Sequence, residues 1–484
     1  MCAGSTDFIM INPHSRYSRF VAETRQLGRL TGPLVLSQVV FSCMGLMDTV
    51  MAGRAGAFEQ AVVGLGVGLW IPVFITLMGI VQAVSPTVAH HFGACDMRGI
   101  VEDTREGLWL AIFCSLVPFM LMPFVGSMLV WAQIDPLLAE KTTFFLWGIL
   151  MGLPAALLFR TLGFYSASIN HPQPLMAIGL LGLATNGAFN WLLIYGHWGF
   201  PKLGGAGCGW ATGIGMWVGL FAMIAYTAIG RVYEKAFLWH GWSWPRWSRQ
   251  KKLLRLGLPM GGSNLAEVSA FAGIALLVGR FGAIPIAAHQ IGMNFASIIF
   301  MFPMGLSAAI SIRVGQSLGT KDPHSARFIA WSGIVIGIMM AIVMVPTILL
   351  GRNSIAVFYT PDAAVQQVAA TLLLLAALWQ FADVVQVCAV GALRGYKVNF
   401  LPMCLVVFAY WVVGIPLGAW IGYRGLFGVE PLGIYGFWMG LVIGLFIVAG
   451  GFVTLLRWVA NVRVNEAVTF ACTGLNDEGG KHKG

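Results

Sequence analysis

The stretch LTGPLVLSQVVFSCMGLMDTVMAGR, residues 30–54, is apolar over almost its whole length. Between Arg29 and Arg54 the only charged residue is Asp48. A helix needs about 20 consecutive apolar residues to cross a bilayer, so this stretch predicts a transmembrane helix. An ionised carboxylate is costly in hydrocarbon, so we expect Asp48 to face the protein interior or to change its charge state.

The composition extends this interpretation to the whole chain. Of the 484 residues, 58% are hydrophobic and 10% are charged, against roughly 25% charged in a typical soluble domain. Apolar runs of membrane-spanning length recur along the chain, and the alternating strands of a membrane barrel are absent. The sequence therefore predicts an all-α integral membrane protein. The N-terminal segment lacks the features of a cleaved secretion signal, so we expect the first span to direct insertion.

Charged residues divide the apolar runs into twelve candidate transmembrane helices. These lie near 31–53, 60–88, 107–131, 143–166, 175–196, 207–230, 256–279, 285–312, 328–350, 365–393, 399–422 and 434–456. Alternate loops then fall on opposite sides, and most of the 29 Lys and Arg residues fall on one side. Because basic loops stay in the cytoplasm, both termini are predicted to be cytoplasmic. Topology thus accounts for the net charge of +10, with no nucleic-acid partner.

The chain also contains an internal repeat at a constant interval of 226 positions. Arg29, Pro33, Gly53, Arg54 and Gly56 recur as Arg255, Pro259, Gly279, Arg280 and Gly282, and Gly79, Ala83, Ser85, Gly93 and Asp96 recur as Gly305, Ala309, Ser311, Gly319 and Asp322. Each repeat holds six helices, so both halves enter the membrane in the same direction. Parallel repeats of this kind are a transporter architecture.

The repeat predicts two pseudo-symmetric six-helix lobes. The predicted segments are a cytoplasmic N-terminal segment (1–24), an N-lobe (25–230), a cytoplasmic linker (231–254), a C-lobe (255–458) and a cytoplasmic tail (459–484).

Three acidic residues fall well inside the predicted spans: Asp48, Glu267 and Asp383. None has an acidic counterpart at the repeat interval, so a structural role common to both lobes is disfavoured. Acidic residues within membrane helices usually face the bundle interior and mark ion or proton pathways. The alternative is a paired or hydrogen-bonded structural group.

Polar side chains accompany these acids at helical spacing. The candidate cavity residues are Asn186, Asn190, Asn264, Gln290, Asn294 and Gln380, with Gln386 on the same helix face as Gln380 and Asp383. Their oxygen atoms suit a hard cation or a proton better than a soft metal. Among the other polar residues, we interpret Arg160 as a side chain that extends to the cytoplasmic interface and His289 as a packing or hydrogen-bonding histidine, with proton relay as the alternative.

Several segments resemble the multidrug and toxic compound extrusion (MATE) family. They are residues 30–54, GIVQAVSPTVAHHFGA (79–94), LGLPMGGSNLAEVSAFA (256–272), IAAHQIGMNFASIIFMFPMGLSAAISIRVGQSLG (286–319) and ALRGYK (392–397). The likeness covers most of residues 25–460 in order and spacing, and it is strongest to the NorM-type branch.

The resemblance implies two six-helix lobes around a central cavity, alternating access, and export of cationic amphipathic drugs driven by Na⁺ or H⁺. It implies that Asp48 is the first-helix acid, with Asn186 and Asn190 as partners, and that Glu267 and Asp383 couple the cation. Another branch has an aspartate in place of Asn190, so this departure favours the NorM-type site at Glu267 and Asp383. Na⁺ is therefore favoured over H⁺.

These observations predict a monomeric multi-pass transporter of the inner (plasma) membrane with no cofactor beyond its coupling ion. One alternative is a lipid-linked saccharide flippase of the same superfamily, which would need several basic residues in its cavity. A membrane enzyme is disfavoured because the sequence has no catalytic motif. A receptor or channel is disfavoured by the parallel repeat.

Overall fold

The computed structural model describes residues 16–230, 232–233, 238–239, 241, 243–425 and 430–478, with side chains described up to 466. Within these ranges the chain is helical and has no strand. The helices are α1 (Arg16–Ala55), α2 (Ala57–Val81), α3 (Val84–Gly93), α4 (Met97–Trp131), α5 (Pro136–Ser168), α6 (Gln173–Tyr195), α7 (Ala206–Ile229), α8 (Trp247–Val278), α9 (Ala283–Gly319), α10 (Pro323–Tyr359), α11 (Ala363–Gly395), α12 (Phe400–Val407), α13 (Ile415–Arg424) and α14 (Ile434–Glu478). A π-helical segment, Phe408–Gly414, joins α12 to α13.

Among the described residues, twelve helical segments are long and apolar enough to cross a membrane. Helices α2 and α3 together form one of them, Ala57–Gly93, and α12 to α13 form another, Phe400–Arg424. The predicted all-α fold with twelve transmembrane helices is therefore confirmed. The orientation of the termini stays a prediction.

The internal repeat corresponds to equivalent local structure in the two halves. The spans Ala57–Gly93 and Ala283–Gly319 begin and end at the repeat interval. The residue before each of them is a glycine with positive φ, 143° at Gly56 and 100° at Gly282, and an L side chain rarely adopts that backbone conformation. The repeated residues thus mark where the second span of each half begins.

The repeat aspartates Asp96 and Asp322 each cap the start of a helix. Asp96 Oδ1 accepts a hydrogen bond from Gly99 N, and Asp322 Oδ1 accepts one from Ser325 N, both at 2.9 Å. Each side chain therefore caps the free N–H groups at the start of a helix, α4 for Asp96 and α10 for Asp322. Conserving the cap at the repeat interval fixes the start of the third span in each half.

The chain forms two compact units. The first contains Gly32–Val88 and Asp96–Ser269, and the second contains the α1 residues up to Thr31, Ala89–Cys95 and the residues from Ala270 onward. In the first unit α5 packs against α4 and α7, and in the second α11 packs against α9, α10 and α14. Helices α1 and α8 each contribute to both units. The predicted domain boundaries follow the repeat instead and stay a prediction.

The segment that leads into α8 is attached to α4 within the first unit. The Arg249 guanidinium contacts the carboxylates of Glu102 and Asp103, with NH1 at 2.6 Å from Asp103 Oδ1. Glu106 accepts hydrogen bonds from Arg246 N at 2.8 Å and from Gln250 Nε2 at 2.6 Å. These contacts hold the start of α8 on α4, and the residues of α8 up to Ser269 belong to the first unit.

Candidate ion-coupling sites

Asp48 lies at the centre of a buried polar network in the first unit. Its side chain is on α1 and is 5% exposed. Asn190 Nδ2 and Asn186 Nδ2, both on α6, donate to Asp48 Oδ1 at 2.6 and 3.2 Å. Thr212 Oγ1, on α7, donates to Asp48 Oδ2 at 3.0 Å. The carboxylate thus accepts three hydrogen bonds, an arrangement that suits its ionised form.

The donors of this network are themselves interlocked. Asn190 Nδ2 also donates to Asn186 Oδ1 at 3.2 Å, and Asn186 Nδ2 donates to Thr212 Oγ1 at 3.0 Å. The Asn190 Oδ1 atom is buried and has no hydrogen-bond partner among the described residues. This oxygen and the Asp48 carboxylate are acceptors that a proton or a hard cation could use.

The expected contact of Asp48 with Asn186 and Asn190 is present, and Thr212 is the member that sequence reasoning missed. Thr212 lies in the glycine-rich segment GCGWATGIG (207–215), where its hydroxyl has no acidic neighbour at helical spacing. The contact joins helices that are far apart in sequence, so no local pattern could have identified it.

Glu267 lies on α8 within the first unit and is partly buried. Asn264, one turn earlier, donates from Nδ2 to the Ile75 carbonyl of α2 at 3.3 Å. A side chain at Gly79 would approach Asn264 Nδ2 to 2.6 Å, so the repeat glycine on α2 leaves the space that Asn264 occupies. The structure therefore places Asn264 of the predicted pair against α2.

Asp383 lies on α11 within the second unit, and its side chain is buried together with Gln380 and Gln386. The three residues are three positions apart and share a helix face. Gln380 Nε2 and Gln386 Oε1 have no hydrogen-bond partner among the described residues. The predicted polar face is thus buried, with an unused donor and an unused acceptor beside the carboxylate. Glu267 and Asp383 belong to different units, and their use of one ion stays a proposal.

The predicted cavity residues Gln290 and Asn294 are exposed on α9. Their neighbour His289 is buried, and its Nδ1 accepts a hydrogen bond from Trp438 Nε1 at 3.1 Å. This contact fits the interpretation of His289 as a hydrogen-bonding residue. No group of three or more His, Cys, Asp or Glu side chains in the described part of the chain could hold a metal ion.

The interpretation of Arg160 as an interfacial side chain is wrong. Arg160 is 7% exposed in the first unit. Its NH1 donates to Gln38 Oε1 at 3.1 Å, and its guanidinium lies over the Phe41 ring at 5.1 Å. An amide oxygen and an aromatic face, both from α1, stabilise this cation inside the unit.

Comparison of the whole chain with known proteins identifies its family. The MatE family model matches residues 33–192 and 259–420, two segments that begin at the repeat prolines Pro33 and Pro259. The chain is 39% identical over 436 residues to a probable multidrug resistance protein NorM of Chromobacterium violaceum, covering 90% of this chain and 93% of that protein. It is also 39% identical over 441 residues to the multidrug resistance protein PmpM of Pseudomonas aeruginosa, covering 90% and 91%.

Solved structures agree at the level of the fold. The crystal structure of the eukaryotic MATE transporter AtDTX14 matches with a TM-score of 0.79 at 19% identity, covering 93% of this chain and 99% of that one. The family model and both relatives span most of the chain and include both repeats. This chain belongs to the MatE family, the multidrug and toxic compound extrusion family of multi-pass membrane transporters.

Proposed function

We propose that the protein is a secondary multidrug exporter that moves cationic amphipathic compounds out of the cell in exchange for Na⁺, with H⁺ as the alternative coupling ion. Its relatives at 39% identity are named multidrug resistance proteins. The observation that carries the coupling proposal is the set of carboxylates in membrane-spanning helices, each flanked by amide side chains. Such groups can bind and release an ion or a proton. Binding and release at a buried carboxylate can drive transport.

The proposed coupling residues are Glu267, Asp383 and Asp48. The Gln380 and Gln386 amides beside Asp383 and the Asn190 oxygen beside Asp48 have unused polar atoms. Cation binding at the Gln386 and Asn190 oxygens would satisfy acceptors that are otherwise costly to bury. We propose that the cation binds at Glu267 and Asp383, and that Asp48 responds to a second ion or proton. We further propose that the protein acts as a monomer in the inner (plasma) membrane.

The test is efflux of the fluorescent cation ethidium from proteoliposomes under an imposed Na⁺ gradient or an imposed pH gradient. Wild type is compared with Asp383→Asn, Glu267→Gln and Asp48→Asn. Asp135→Asn is a matched control, because Asp135 caps α5 outside the spans and asparagine caps a helix about as well. We expect each of the three variants to lose gradient-driven efflux and the control to retain it.

Two results would contradict parts of the proposal. Normal transport by all three variants would show that these carboxylates do not couple transport, and a response to pH alone would exclude Na⁺. The same proteoliposomes test the alternative function. A flippase should translocate a fluorescent lipid-linked saccharide diphosphate and should give no ethidium efflux. Such an anionic substrate would require several basic residues in the cavity, and the buried Arg160 is one candidate that already contacts Gln38 and Phe41.

A further inference from the structure

A surface groove lies between α12 and α14 in the second unit, on helices long and apolar enough to span a membrane. It has a volume of about 570 Å³ and is lined by Leu401, Cys404, Leu405, Phe408, Gly451, Thr454 and Leu455. Leu405 reaches toward Gly451, where a Cβ atom would lie 3.2 Å from Leu405 Cδ1. The glycine therefore deepens the groove at its centre.

The groove is apolar in its chemistry. The Thr454 hydroxyl donates to the Gly450 and Gly451 carbonyls of its own helix at 3.0 and 2.9 Å. The remaining side chains are hydrocarbon apart from the Cys404 thiol, which is exposed and free. Leu401 and Phe408 lie seven residues apart on the same membrane-spanning segment, Phe400–Arg424, or roughly 10 Å along its axis. The groove thus has the length and chemistry of a site for part of an acyl chain.

One end of the groove carries a positive charge. Arg457 follows Thr454 by three residues on α14, so the two side chains share a helix face. Arg457 is exposed, and none of the described carboxylates lies within ion-pair distance of it. Arg463, farther along α14, instead pairs with Glu466 at 3.1 Å. Arg457 is therefore a cation that the described side chains around it leave without an ion-pair partner.

The predicted topology places this end at the cytoplasmic membrane surface. Trp458, next to Arg457, is 61% exposed, and Phe400, the first residue of α12, is 62% exposed. Exposed tryptophan just beyond a membrane span, here the predicted span 434–456, is typical of the headgroup level, and basic side chains there attract the acidic lipids of the cytoplasmic leaflet.

We propose that this groove binds one acidic glycerophospholipid of the cytoplasmic leaflet, with an acyl chain along Leu401–Phe408 and the phosphate against the Arg457 guanidinium. Apolar burial holds the chain, and the charge on Arg457 selects the acidic headgroup over a zwitterionic one. The inner end of the site is Phe408, the first residue of the π-helical segment. π-Helical turns frequently occur at functional sites, so the bound lipid contacts the part of the span that departs from regular helix.

The test uses Cys404 as a reporter of occupancy in the purified full-length protein. Alkylation of Cys404 by N-ethylmaleimide is followed by peptide mass spectrometry, with the exposed Cys43 on α1 as the internal reference. Dioleoyl phosphatidylglycerol and dioleoyl phosphatidylcholine, which have the same chains, are added at equal concentration. We expect phosphatidylglycerol to slow alkylation of Cys404 about fivefold more than phosphatidylcholine does, with Cys43 unaffected.

The variants assign the selectivity to Arg457. Arg457→Gln should remove the difference between the two lipids, and Arg457→Lys should retain it. The control Arg280→Gln makes the same change at an exposed arginine that is predicted to lie on the opposite side of the membrane. This variant should also retain the difference between the two lipids. Inorganic phosphate alone should give no protection. Equal protection by both lipids, protection by neither, or unchanged selectivity in Arg457→Gln would each overturn the proposal.

Discussion

Asp48 shows how a carboxylate is accommodated inside a membrane-spanning helix. No cation contacts it among the described side chains, and three neutral donors from α6 and α7 hold it. Hydrogen bonds to an ionised group are roughly twice as strong as those between neutral groups. The Asn186, Asn190 and Thr212 side chains therefore determine how readily this carboxylate changes its charge.

The Thr212 hydroxyl provides a test of that dependence. Thr212→Val keeps the shape of the side chain but removes the donor to Asp48 Oδ2. One hydrogen bond to a charged group contributes about 1.5 kcal/mol or more, so we expect the half-saturating concentration of the coupling ion to change about tenfold. The measurement is the ion dependence of initial efflux rates in proteoliposomes.

The matched control is Thr212→Ser, which retains the hydroxyl and should keep the wild-type ion dependence. If valine and serine behaved alike, the contact with Asp48 would have no part in coupling.

At the scale of elements, the two halves share the residues at which their helices begin. They do not share the acidic side chains inside the spans. Gly56 and Gly282 precede the second spans, and Asp96 and Asp322 cap the third spans. A tight packing contact follows the same interval within the second unit. A Cβ at Gly93 would lie 2.0 Å from the Gln316 carbonyl oxygen, and one at Gly319 would lie 2.1 Å from the His90 carbonyl oxygen. The repeated residues are thus those that fix backbone position.

The Asp322 cap predicts a pH dependence of stability. Partial burial raises the pKa of this carboxyl, but the hydrogen bonds from Ser325, together with the charge and backbone N–H of His324, outweigh that effect and leave the pKa below its ordinary value. A group whose pKa is depressed in the folded state stabilises the fold above its unfolded-state pKa, and this contribution is lost as the pH falls through the folded-state pKa. The cap at α10 should therefore weaken only under strongly acidic conditions.

Thermal unfolding in detergent between neutral and acidic pH measures this effect. Asp322→Asn keeps a capping oxygen but does not titrate, so its loss of stability in acid should be smaller than that of wild type. At neutral pH, Asp322→Ala should lower the free energy of unfolding by about 1 kcal/mol. Parallel loss of stability by wild type and Asp322→Asn across the acidic range would show that another group is responsible.

At the scale of the molecule, some helices contribute residues to both compact units. Residues of α8 up to Ser269 cluster with the first unit, although the repeat relates α8 to α1 as the first span of the second half. This assignment agrees with the contacts of Arg249 with Glu102 and Asp103 of α4 and with the hydrogen bond of Asn264 to Ile75 of α2. An ion pair shared by two carboxylates near a membrane surface is a stronger attachment than a single exposed pair.

The predicted topology is a property of the whole molecule and has a direct test. A green fluorescent protein fused to the C-terminus should fluoresce in a bacterial host, and an alkaline phosphatase fused there should be inactive. Fusions that end after Phe200, in a loop predicted to lie outside, should give the reverse pattern. Phosphatase activity at the C-terminus would contradict the cytoplasmic assignment of both termini, since the spans are even in number.

The sequence by itself determined the number of spans, the repeat and the position of the three acids inside the spans on which the proposed function rests. Apolar length and the start signals of helices are local properties, so they can be read from consecutive residues. The tertiary structure decided which side chains complete each polar site. Thr212 joins Asp48, and Arg160 turns to Gln38 and Phe41, because helices distant in sequence pack side by side. It also decided how α1 and α8 divide between the two units, since that depends on contacts across the fold and on no local pattern.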